Sequence, residues 1–303
     1  MDYKIDTSII IVNYNTSRYA IDAIDSIFEK TTGLSYEVIV VDNNSSESDL
    51  NAIKERYKNR INLIPLTENI GFGRANNEAL KVAEGRNILF LNPDTKLIND
   101  AIKILSDFLD KHDKVGACGG NLFGEEGKPN MSYERYFPSI FAEINIFLSN
   151  IPRKILFGRN ALFNHSKKVK PVAFISGADL MTKRSVIEEI GGFNPLFFMY
   201  YEETELCFRI NKAKYKIMSV PEAEIQHLDS CSFENRMSRK KYELFYRSKH
   251  VFFDLCYSKQ YKMICFFLQN IFLDIRIFLA FVLKSKGYSY WKFQKEITKS
   301  YNN

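Results

Sequence analysis

Short apolar runs alternate with amphipathic segments along the first third of the chain. Residues 8–12 (S-I-I-I-V) form a β-branched run without helical spacing, which predicts a strand buried on both faces. Residues 17–30 carry apolar side chains at helical spacing, with Ser17 in the capping position. The same pattern predicts strands at 37–41, 61–66 and 87–91 and helices at 74–84 and 101–110. Such alternation predicts an α/β fold with a mostly parallel central sheet and helices on both faces.

The pattern changes in the middle of the chain. Residues 119–170 are punctuated by Gly and Pro and contain an aromatic and basic cluster at 133–138, which we interpret as a functional loop or lid. Further on, the spacing predicts strands at 172–176 and 216–220 and helices at 183–190 and 202–212. After about Cys231 the sequence is helical, basic and aromatic to its end.

Polar residues follow three of the predicted strands where the apolar runs stop. They are Asn13-Tyr14-Asn15, Asp42-Asn43-Asn44 and Asn92-Pro93-Asp94. Ligands of parallel sheets bind beyond the carboxyl ends of the strands, so we expect Asp42 and Asp94 to project into a crevice there. Carboxylates in that position suit a divalent cation that holds phosphates, or hydrogen bonding to a base or ribose. For either residue alone, an ordinary turn is the alternative.

Two adjacent acids, Glu202 and Glu203, follow an aromatic run and open a predicted helix. An acid at a helix N-terminus has an ordinary electrostatic role. A carboxylate beside aromatic side chains can instead have a raised pKa and take a proton from a hydroxyl group. His227 follows the next strand region; a lone histidine is more often structural, but together with Asp94 it would suit Mn²⁺ or Mg²⁺.

Charge is divided unevenly along the chain. The net charge is +6, and residues 233–303 carry 14 Lys/Arg against 5 Asp/Glu, whereas the remainder carries 28 against 31. This tail suits a phosphate-rich partner such as a membrane leaflet or nucleic acid, or it is a solvated basic helix. Because no zinc-finger, RNP or K-homology motif is present in the sequence, we expect no nucleic acid partner. The five scattered cysteines indicate a reducing compartment, and the polar N-terminus predicts no signal peptide.

The apolar stretch at 263–283 has about the length of a membrane span, roughly 20 residues. It also contains polar residues, namely Gln269, Asn270, Asp274 and Arg276. A central Asp and Arg argue against a simple span. Two alternatives remain: a helix that lies in the plane of a membrane surface, or a helix buried against the body or a second subunit.

An ordered set of motifs resembles the family 2 glycosyltransferases, in particular the rhamnosyltransferase-like bacterial branch. The matching pieces are S-I-I-I-V-N-Y-N at 8–15, V-I-V-V-D-N-N-S at 38–45, N-I-G-F-G-R-A-N-N at 69–77, L-F-L-N-P-D-T at 89–95, S-G-A-D-L at 176–180, G-G-F-N-P-L-F-F-M-Y-Y-E-E-T-E-L-C-F-R at 191–209, and His227 with Ser232. The resemblance covers about residues 7–232. It implies an inverting enzyme of GT-A fold over 1–232, with a nucleotide-sugar half at about 1–95 and an acceptor half at 96–232. The tail at 233–303 would then be membrane-associated or oligomerising.

The resemblance also implies roles for individual residues. The implied donor-binding residues are Val12, Tyr14, Asp42, Asn44, Arg74, Asn92 and Asp94. Of these, Asp42 would bind the nucleobase of the donor. Asp94 occupies the second carboxylate position of the family's D-x-D motif and is the implied metal ligand, with His227. Asn92 replaces the first Asp.

On the acceptor side, the family's E-D pair corresponds to Glu202 and Glu203, so Glu203 is the implied general base. The implied acceptor-binding residues are Gly177, Asp179 and Tyr201. A Glu stands here where the family usually has an Asp, which lengthens the reach by one methylene.

The implied reaction is a single in-line displacement that moves a hexose or deoxyhexose from a nucleotide sugar. The acceptor would be a glycan or lipid-linked saccharide of a bacterial surface polysaccharide. The implied location is cytoplasmic, at the inner face of the plasma membrane, with the tail on the membrane or in a homodimer. Two other classes remain open. A nucleotidyltransferase needs a Gly-rich, Lys-bearing loop after the first strand, where this chain has N-Y-N-T at 13–16. A catalytically silent nucleotide-sugar-binding protein is supported by the departures at Asn92 and Glu203.

Overall fold

The computed structural model describes residues 3–228, 238–285 and 287–302. The strands are β1 (Ile5–Asn13), β2 (Tyr36–Asp42), β3 (Asn62–Pro65), β4 (Gly85–Leu91), β5 (Thr95–Leu97), β6 (Val115–Phe123), β7 (Tyr133–Glu134), β8 (Lys170–Pro171), β9 (Phe174–Ile175), β10 (Asp179–Lys183) and β11 (Lys216–His227). The α-helices are α1 (Ser17–Lys30), α2 (Glu47–Tyr57), α3 (Phe72–Leu80), α4 (Ala101–Asp110), α5 (Ile140–Phe147), α6 (Ile151–Phe157), α7 (Arg184–Ile190), α8 (Glu202–Lys212), α9 (Arg239–Cys256), α10 (Lys259–Val282) and α11 (Tyr288–Asn302).

One large sheet organises the body, in the order β3-β2-β1-β4-β10-β6-β11-β5, with β8 also paired to β11. The first four strands of that order are parallel to one another, as the strand and helix alternation predicts. Beyond them β10 is antiparallel to both β4 and β6, whereas β11 is parallel to β6. The short strands β7 and β9 form a separate ribbon.

The sheet is buried on both faces, as the apolar run of β1 predicts. Ile9 and Ile11 are fully buried on one face, among side chains of α1 and α4. Ile10 and Val12 are buried on the other face, among side chains of α3 and α8. Because neighbouring strand residues point to opposite faces, burial on both faces requires a continuous apolar run.

The sequence pattern misses several elements of this fold. Strand β6 contains three glycines, which are unfavourable in strands, but the packing requires them. A Cβ atom at Gly120 would lie 2.4 Å from the carbonyl oxygen of Ala223 on β11. Helix α2 is missed because only a few of its residues are apolar.

The middle segment at 119–170 is more regular than the predicted loop or lid. It begins inside β6 and includes β7, α5 and α6. The ring of Phe147 at the end of α5 stacks on Phe272 of α10, with ring centroids 4.2 Å apart. The prediction of a loop is therefore wrong over these helices, which are short and lie between Gly and Pro residues that are typical of loops.

The tail forms three helices that pack on the body. Phe252 and Phe253 of α9 and Phe266 of α10 share a buried cluster with Phe197, which precedes α8. The hydroxyl of Ser248 on α9 also donates a 2.7 Å hydrogen bond to the carbonyl oxygen of Met199. The helical tail is confirmed, and the predicted boundary between 232 and 233, like the motif residue Ser232, lies outside the described residues.

Helix α10 bonds its central polar side chains to the neighbouring helices. Gln269 accepts a hydrogen bond from Lys249 of α9 and donates one to Tyr246, whereas Lys295 of α11 bonds both Asn270 and Asp274. The outward face of α10 exposes large apolar side chains, among them Ile264, Phe267, Ile271, Ile275, Phe278 and Leu279, and the Asp274 side chain, which is 65% exposed, lies among them. Within the described parts of the chain, α10 is also the one helix with the length and composition of a membrane span.

Candidate active site

The carboxyl ends of β1 and β2 carry a buried polar network around Asp42. Asn13 Nδ2 donates to Asp42 Oδ1 at 2.8 Å and to Asp49 Oδ2 at 2.9 Å. The backbone N–H of Ser45 donates to Asp42 Oδ2 at 3.0 Å. Parallel pairing places Asn13 directly beside Asp42, which explains why the two strand ends meet. The network fixes the orientation of the Asp42 carboxylate, while the neighbouring Tyr14 stays about half exposed.

The other predicted donor residues of this half lie around the same edge. Val12 is buried beneath it, and Asn44 is exposed in a left-handed backbone conformation, with φ of 66°. Arg74 is exposed on α3, and its Nε donates to the carbonyl oxygen of Pro195 at 2.7 Å. Just before α3, Gly71 has φ of 89°, and a Cβ atom there would lie 2.4 Å from the Phe198 carbonyl oxygen. The 195–198 loop thus rests directly on the start of α3.

Asp94 and His227 are brought together by the antiparallel pairing of β5 with β11, in which Thr95 lies opposite His227. Asp94 Oδ1 lies 3.3 Å from His227 Nε2, and Asn92 Nδ2 lies 3.5 Å from the same nitrogen. Both Asp94 and His227 are buried. The second oxygen, Asp94 Oδ2, is also buried and has no hydrogen-bond partner within the described structure.

A metal ion is compatible with this pair. Carboxylate oxygen and imidazole nitrogen are suitable ligands for Mn²⁺, and a buried carboxylate oxygen without a partner is a group that a cation would satisfy. In the regions that the structure describes, no cluster of three or more His, Cys, Asp and Glu side chains surrounds a common point. A cation bound here would therefore take its remaining ligands from a bound phosphate group or water.

The segment at 176–179 connects this pair to the acceptor side. The carbonyl oxygen of Ala178 accepts a 3.0 Å hydrogen bond from the backbone N–H of Asn92. A Cβ atom on Gly177 would lie 3.6 Å from Glu203 Cγ, so the backbone at 177 lies directly against that side chain. The structure therefore brings Asn92, Gly177 and Glu203 to one edge of the sheet.

Asp179 lies deeper than an acceptor-binding role suggests. Its side chain is fully buried on β10, and its Oδ2 accepts a 2.6 Å hydrogen bond from the Gly120 N–H. Burial raises the pKa of Asp179 to about 7, although the Gly120 hydrogen bond and His227 act in the opposite direction. In this structure the Asp179 carboxyl group holds the backbone of β6, and its acceptor-binding role stays a prediction.

The two acids at the start of α8 occupy different surroundings. Glu203 lines a cavity, whereas Glu202 is buried against α3, where a Cβ atom on Gly73 would lie 3.5 Å from the Glu202 Cβ. Glu202 Oε2 is one of the buried oxygens without a hydrogen-bond partner in the described residues. Burial raises the pKa of both carboxyl groups, and the backbone N–H groups at the helix start partly counteract this for Glu203.

Strained backbone precedes this helix. Tyr200 and Tyr201 both adopt the left-handed conformation, with φ of 70° and 69°, which is rare for a bulky residue. The bend aims the aromatic rings at the tail: Tyr201 packs with Phe245 and Phe252 of α9. Such strain persists only where surrounding contacts enforce it, and it is common at functional sites.

The cavity beside Glu203 has a volume of about 470 Å³. Three parts of the chain line it: the start of α8 with Tyr201 and Glu203, the middle segment from Met131 to Arg153, and the tail helices up to Gln294. The predicted acceptor residue Tyr201 and the predicted base are thus brought together. The tail and middle-segment residues of the cavity were not predicted, because no motif connects them along the chain.

At one edge of the sheet the structure combines polar ends of parallel strands, an Asp–His pair and a buried carboxylate. This combination is typical of α/β enzymes that bind a nucleotide at the carboxyl edge. The chain belongs to glycosyl transferase family 2, whose family model matches residues 8–190. The family and the GT-A fold predicted from the sequence are therefore confirmed.

Two relatives are glycosyltransferases of glycan synthesis. The chain is 28% identical over 206 residues to the N-acetylglucosaminyl-diphospho-decaprenol L-rhamnosyltransferase of Mycobacterium tuberculosis, covering 63% of this chain and 66% of that protein. It is 28% identical over 237 residues to the low-salt glycan biosynthesis hexosyltransferase Agl10 of Haloferax volcanii, covering 76% and 70%. The match to the mycobacterial protein thus spans just under two thirds of its length.

A solved structure has the same fold. The mannosyltransferase PcManGT from Pyrobaculum calidifontis, in complex with GDP-Man and Mn²⁺, superposes with a TM-score of 0.57 at 15% sequence identity. The match covers 98% of this chain and 88% of that one. At this identity the similarity establishes the architecture.

Proposed function

We propose that this family 2 glycosyltransferase moves a hexosyl or deoxyhexosyl group from a nucleoside diphosphate sugar to a glycan or lipid-linked saccharide, with inversion at the anomeric carbon. The product would be part of a cell-surface glycan. One observation carries the proposal: the Glu203 carboxyl group lines a cavity and lies against Gly177, next to the residue that binds Asn92. The proposed general base, Glu203, and the donor-side residues thus share one edge of the sheet.

The chemistry assigned to the chain's own residues is a single displacement. Glu203 accepts the proton of the acceptor hydroxyl while that oxygen forms a bond to the anomeric carbon. The bond from the anomeric carbon to the diphosphate breaks, and its electron pair leaves with the nucleoside diphosphate. Asp42 accepts a hydrogen bond from the nucleobase of the donor. Asn13 and Ser45 hold the Asp42 carboxylate in place. The buried position of Glu202 gives it a supporting role.

Asp94 and His227 are the residues that would hold Mn²⁺ or Mg²⁺. When bound, the cation would supply positive charge to the diphosphate. The solved mannosyltransferase with GDP-Man and Mn²⁺ supports this assignment through its fold, and the free Asp94 Oδ2 supports it locally. Asn92, at 3.5 Å from the histidine, would orient the ring.

A panel of nucleotide sugars tests the function. The full chain is incubated with UDP-, GDP- and dTDP-sugars, with Mn²⁺, with Mg²⁺ and with chelator, and the nucleotide products are separated. Release of a nucleoside diphosphate supports glycosyl transfer, and NMR of the product then reports the anomeric configuration. Release of inorganic diphosphate would instead indicate nucleotidyl transfer. Donor binding without release under every condition would indicate a catalytically silent binding protein.

Replacing Asp94 with Asn should remove the metal dependence of donor binding. Asn retains the size of the side chain but lacks the negative charge that attracts the cation. In calorimetric titrations with the donor, we expect Asp94→Asn in Mn²⁺ to bind as weakly as the wild type in chelator. Asp100→Asn is the matched control, because Asp100 is a distant carboxylate that bonds Thr32. Equal donor affinity in Asp94→Asn and wild type, with and without metal, would contradict the assignment.

We also propose that the protein binds the inner membrane surface through α10. Gln269 and Asn270 bond neighbouring helices, whereas the outward face of α10 is mostly apolar, with Asp274 exposed among its large side chains. Such an apolar face is unfavourable in water. Exposed Ile146, Ile151 and Ile155 extend the apolar surface onto α5 and α6. The basic excess of the tail suits the anionic lipids of that leaflet.

The double substitution Phe267→Ser/Phe278→Ser should weaken binding to vesicles of phosphatidylcholine and phosphatidylglycerol. The two rings are about two thirds exposed, and each ring that enters the lipid would contribute roughly 1.5 to 3 kcal/mol. Co-sedimentation measures the effect, and Val82→Ser/Ile98→Ser, which changes exposed apolar residues of the body, is the control. If the double variant instead converts a dimer to a monomer and binds vesicles as before, a second subunit covers this face.

A further inference from the structure

Among the described residues, the wall of the cavity beside Glu203 contains one cation that is not paired with a carboxylate. Lys249 is paired with Glu143 at 2.5 Å, and Arg153 is paired with Glu134 at 2.8 Å. Arg276 on α10 also lines the cavity, but no carboxylate of the described residues lies within ion-pairing distance of it. This residue is therefore distinct from the other cations of the cavity wall.

The Arg276 guanidinium is held in place by neutral groups. Its Nη2 donates hydrogen bonds to the carbonyl oxygens of Ile146 at 2.6 Å and Phe147 at 2.9 Å. It also stacks 4.3 Å from the centre of the Trp291 ring. A partly buried guanidinium that is positioned but not neutralised favours an anionic ligand, and its planar fork matches a phosphate. Nε and Nη1 remain to make such contacts.

The surroundings of Arg276 define the rest of the ligand. Phe272 and Leu273 of the same helix line the cavity. Exposed Leu279 lies one turn after Arg276 on α10, and the side chain of Ile146, whose carbonyl oxygen Arg276 bonds, is also exposed. A ligand that bonds Arg276 is thus next to an apolar surface. From the other end, the cavity reaches Tyr201 and Glu203, where the sugar hydroxyl would react.

We propose that the tail builds an acceptor site for a saccharide linked to a lipid through phosphate, with Arg276 as the group that binds the phosphate. The saccharide would occupy the cavity towards Glu203, and the lipid chain would lie along the outer face of α10. This inference rests on the proposed function, since it assigns the acceptor of that reaction. It gives the tail a part in substrate selection as well as in membrane binding.

Trp291 provides the measurement, because it is the single tryptophan of the chain. The full chain is titrated with dodecyl phosphate below its micelle concentration, and the tryptophan emission is followed. Inorganic phosphate tests the head group alone, and dodecyl maltoside tests an apolar chain with a neutral head group. We expect saturable binding of dodecyl phosphate, with weaker binding of the other two probes.

Arg276→Gln should weaken dodecyl phosphate binding by about 10- to 100-fold, the range expected for loss of a charged hydrogen-bonding group. Its affinity for dodecyl maltoside should not change. Arg276→Lys should retain part of the affinity, because the charge remains. Arg247→Gln is the matched control, since Arg247 is exposed on α9 and the net charge changes equally. Thermal unfolding verifies that each variant is folded.

Equal affinity of the wild type for dodecyl phosphate and dodecyl maltoside would overturn the inference, as would equal effects of Arg276→Gln and Arg247→Gln. If Arg276→Gln does not fold, the comparison of probes on the wild type and on Arg276→Lys decides. The titrations contain no nucleotide sugar, so the two proposals fail separately. If the chain releases nucleoside diphosphate but binds the probes equally, the proposed function stands and the proposed acceptor site is wrong.

Discussion

Replacing Glu203 with Gln should lower kcat by roughly 10²- to 10⁴-fold, the usual contribution of a general base. Gln has the same shape but cannot accept the proton of the acceptor hydroxyl. The fold should be retained, because the described contacts of the Glu203 carboxyl group are limited to the helix start and a 3.5 Å contact with the Thr204 hydroxyl. Donor affinity, measured by calorimetry, should not change.

Glu202→Gln is the comparison for this experiment. The Glu202 carboxyl group is buried against α3 and does not line the cavity, so its loss should reduce kcat less. Glu203→Asp shortens the reach by one methylene and tests whether the acceptor site requires the longer side chain. The assignment fails if Glu203→Gln turns over normally while Glu202→Gln is inactive, in which case Glu202 is the base.

The pH dependence provides a second measurement on the same group. Burial raises the pKa of Glu203 above the ordinary value for Glu, so the neutral form persists to higher pH than in a solvated Glu. A base must be ionised, and therefore kcat should rise with pH through this elevated pKa and fall in acid. In the Glu203→Gln variant, the decrease of kcat at low pH should disappear. A decrease that persists in the variant would come from another titrating group.

Replacing Lys249 with Met should destabilise the whole protein by about 3 to 5 kcal/mol, the range for breaking a buried ion pair. The Lys249 and Glu143 side chains are each only 6% exposed, so the substitution leaves a carboxylate buried without its partner. Because Lys249 belongs to α9 and Glu143 to α5, the pair connects the tail to the middle segment. Thermal and urea unfolding measure the loss.

Two further variants make this result specific. Lys249→Met/Glu143→Leu removes both charges and should recover most of the lost stability, since replacing both partners is often neutral. Arg239→Met on the same helix removes exposed ion pairs with Glu243 and Glu296 and should cost about 0 to 1 kcal/mol. If Lys249→Met lowers only a separate tail transition and leaves the main one unchanged, the tail is an independent unit.

Much of the body could be predicted from local patterns. The runs at 8–12 and 87–91 are apolar because their strands are covered on both faces, and this burial leaves a direct signature in the sequence. Strand β10 left no comparable signature before the structure placed it between β4 and β6, since a short antiparallel strand resembles many other segments. The α5 and α6 helices were missed because each is short and lies in a segment punctuated by Gly and Pro, whereas the equally short α7 was predicted.

The candidate site divides in the same way. Asp42 and Asp94 could be predicted, because each directly follows an apolar strand and the ends of parallel strands meet at one edge. The partners of Asp42 had a weaker signal: Asn13 also ends a strand, but Asp49 lies within α2, which was not predicted. Arg276 was identified only as an unfavourable residue in an apolar stretch, and its function as proposed here depends on its contacts.

The sequence by itself determined the alternation of strands and helices, the family, the acidic strand ends and the basic, aromatic tail. These features depend on residues that are close along the chain, where burial and turn formation select residue types directly. Only the tertiary structure decided that Glu203 and not Glu202 faces the cavity, that Asp179 is buried, and that α10 presents its apolar face outwards. These outcomes depend on contacts between residues more than 50 positions apart, such as Lys249 with Glu143, and a single sequence carries no local energetic trace of them.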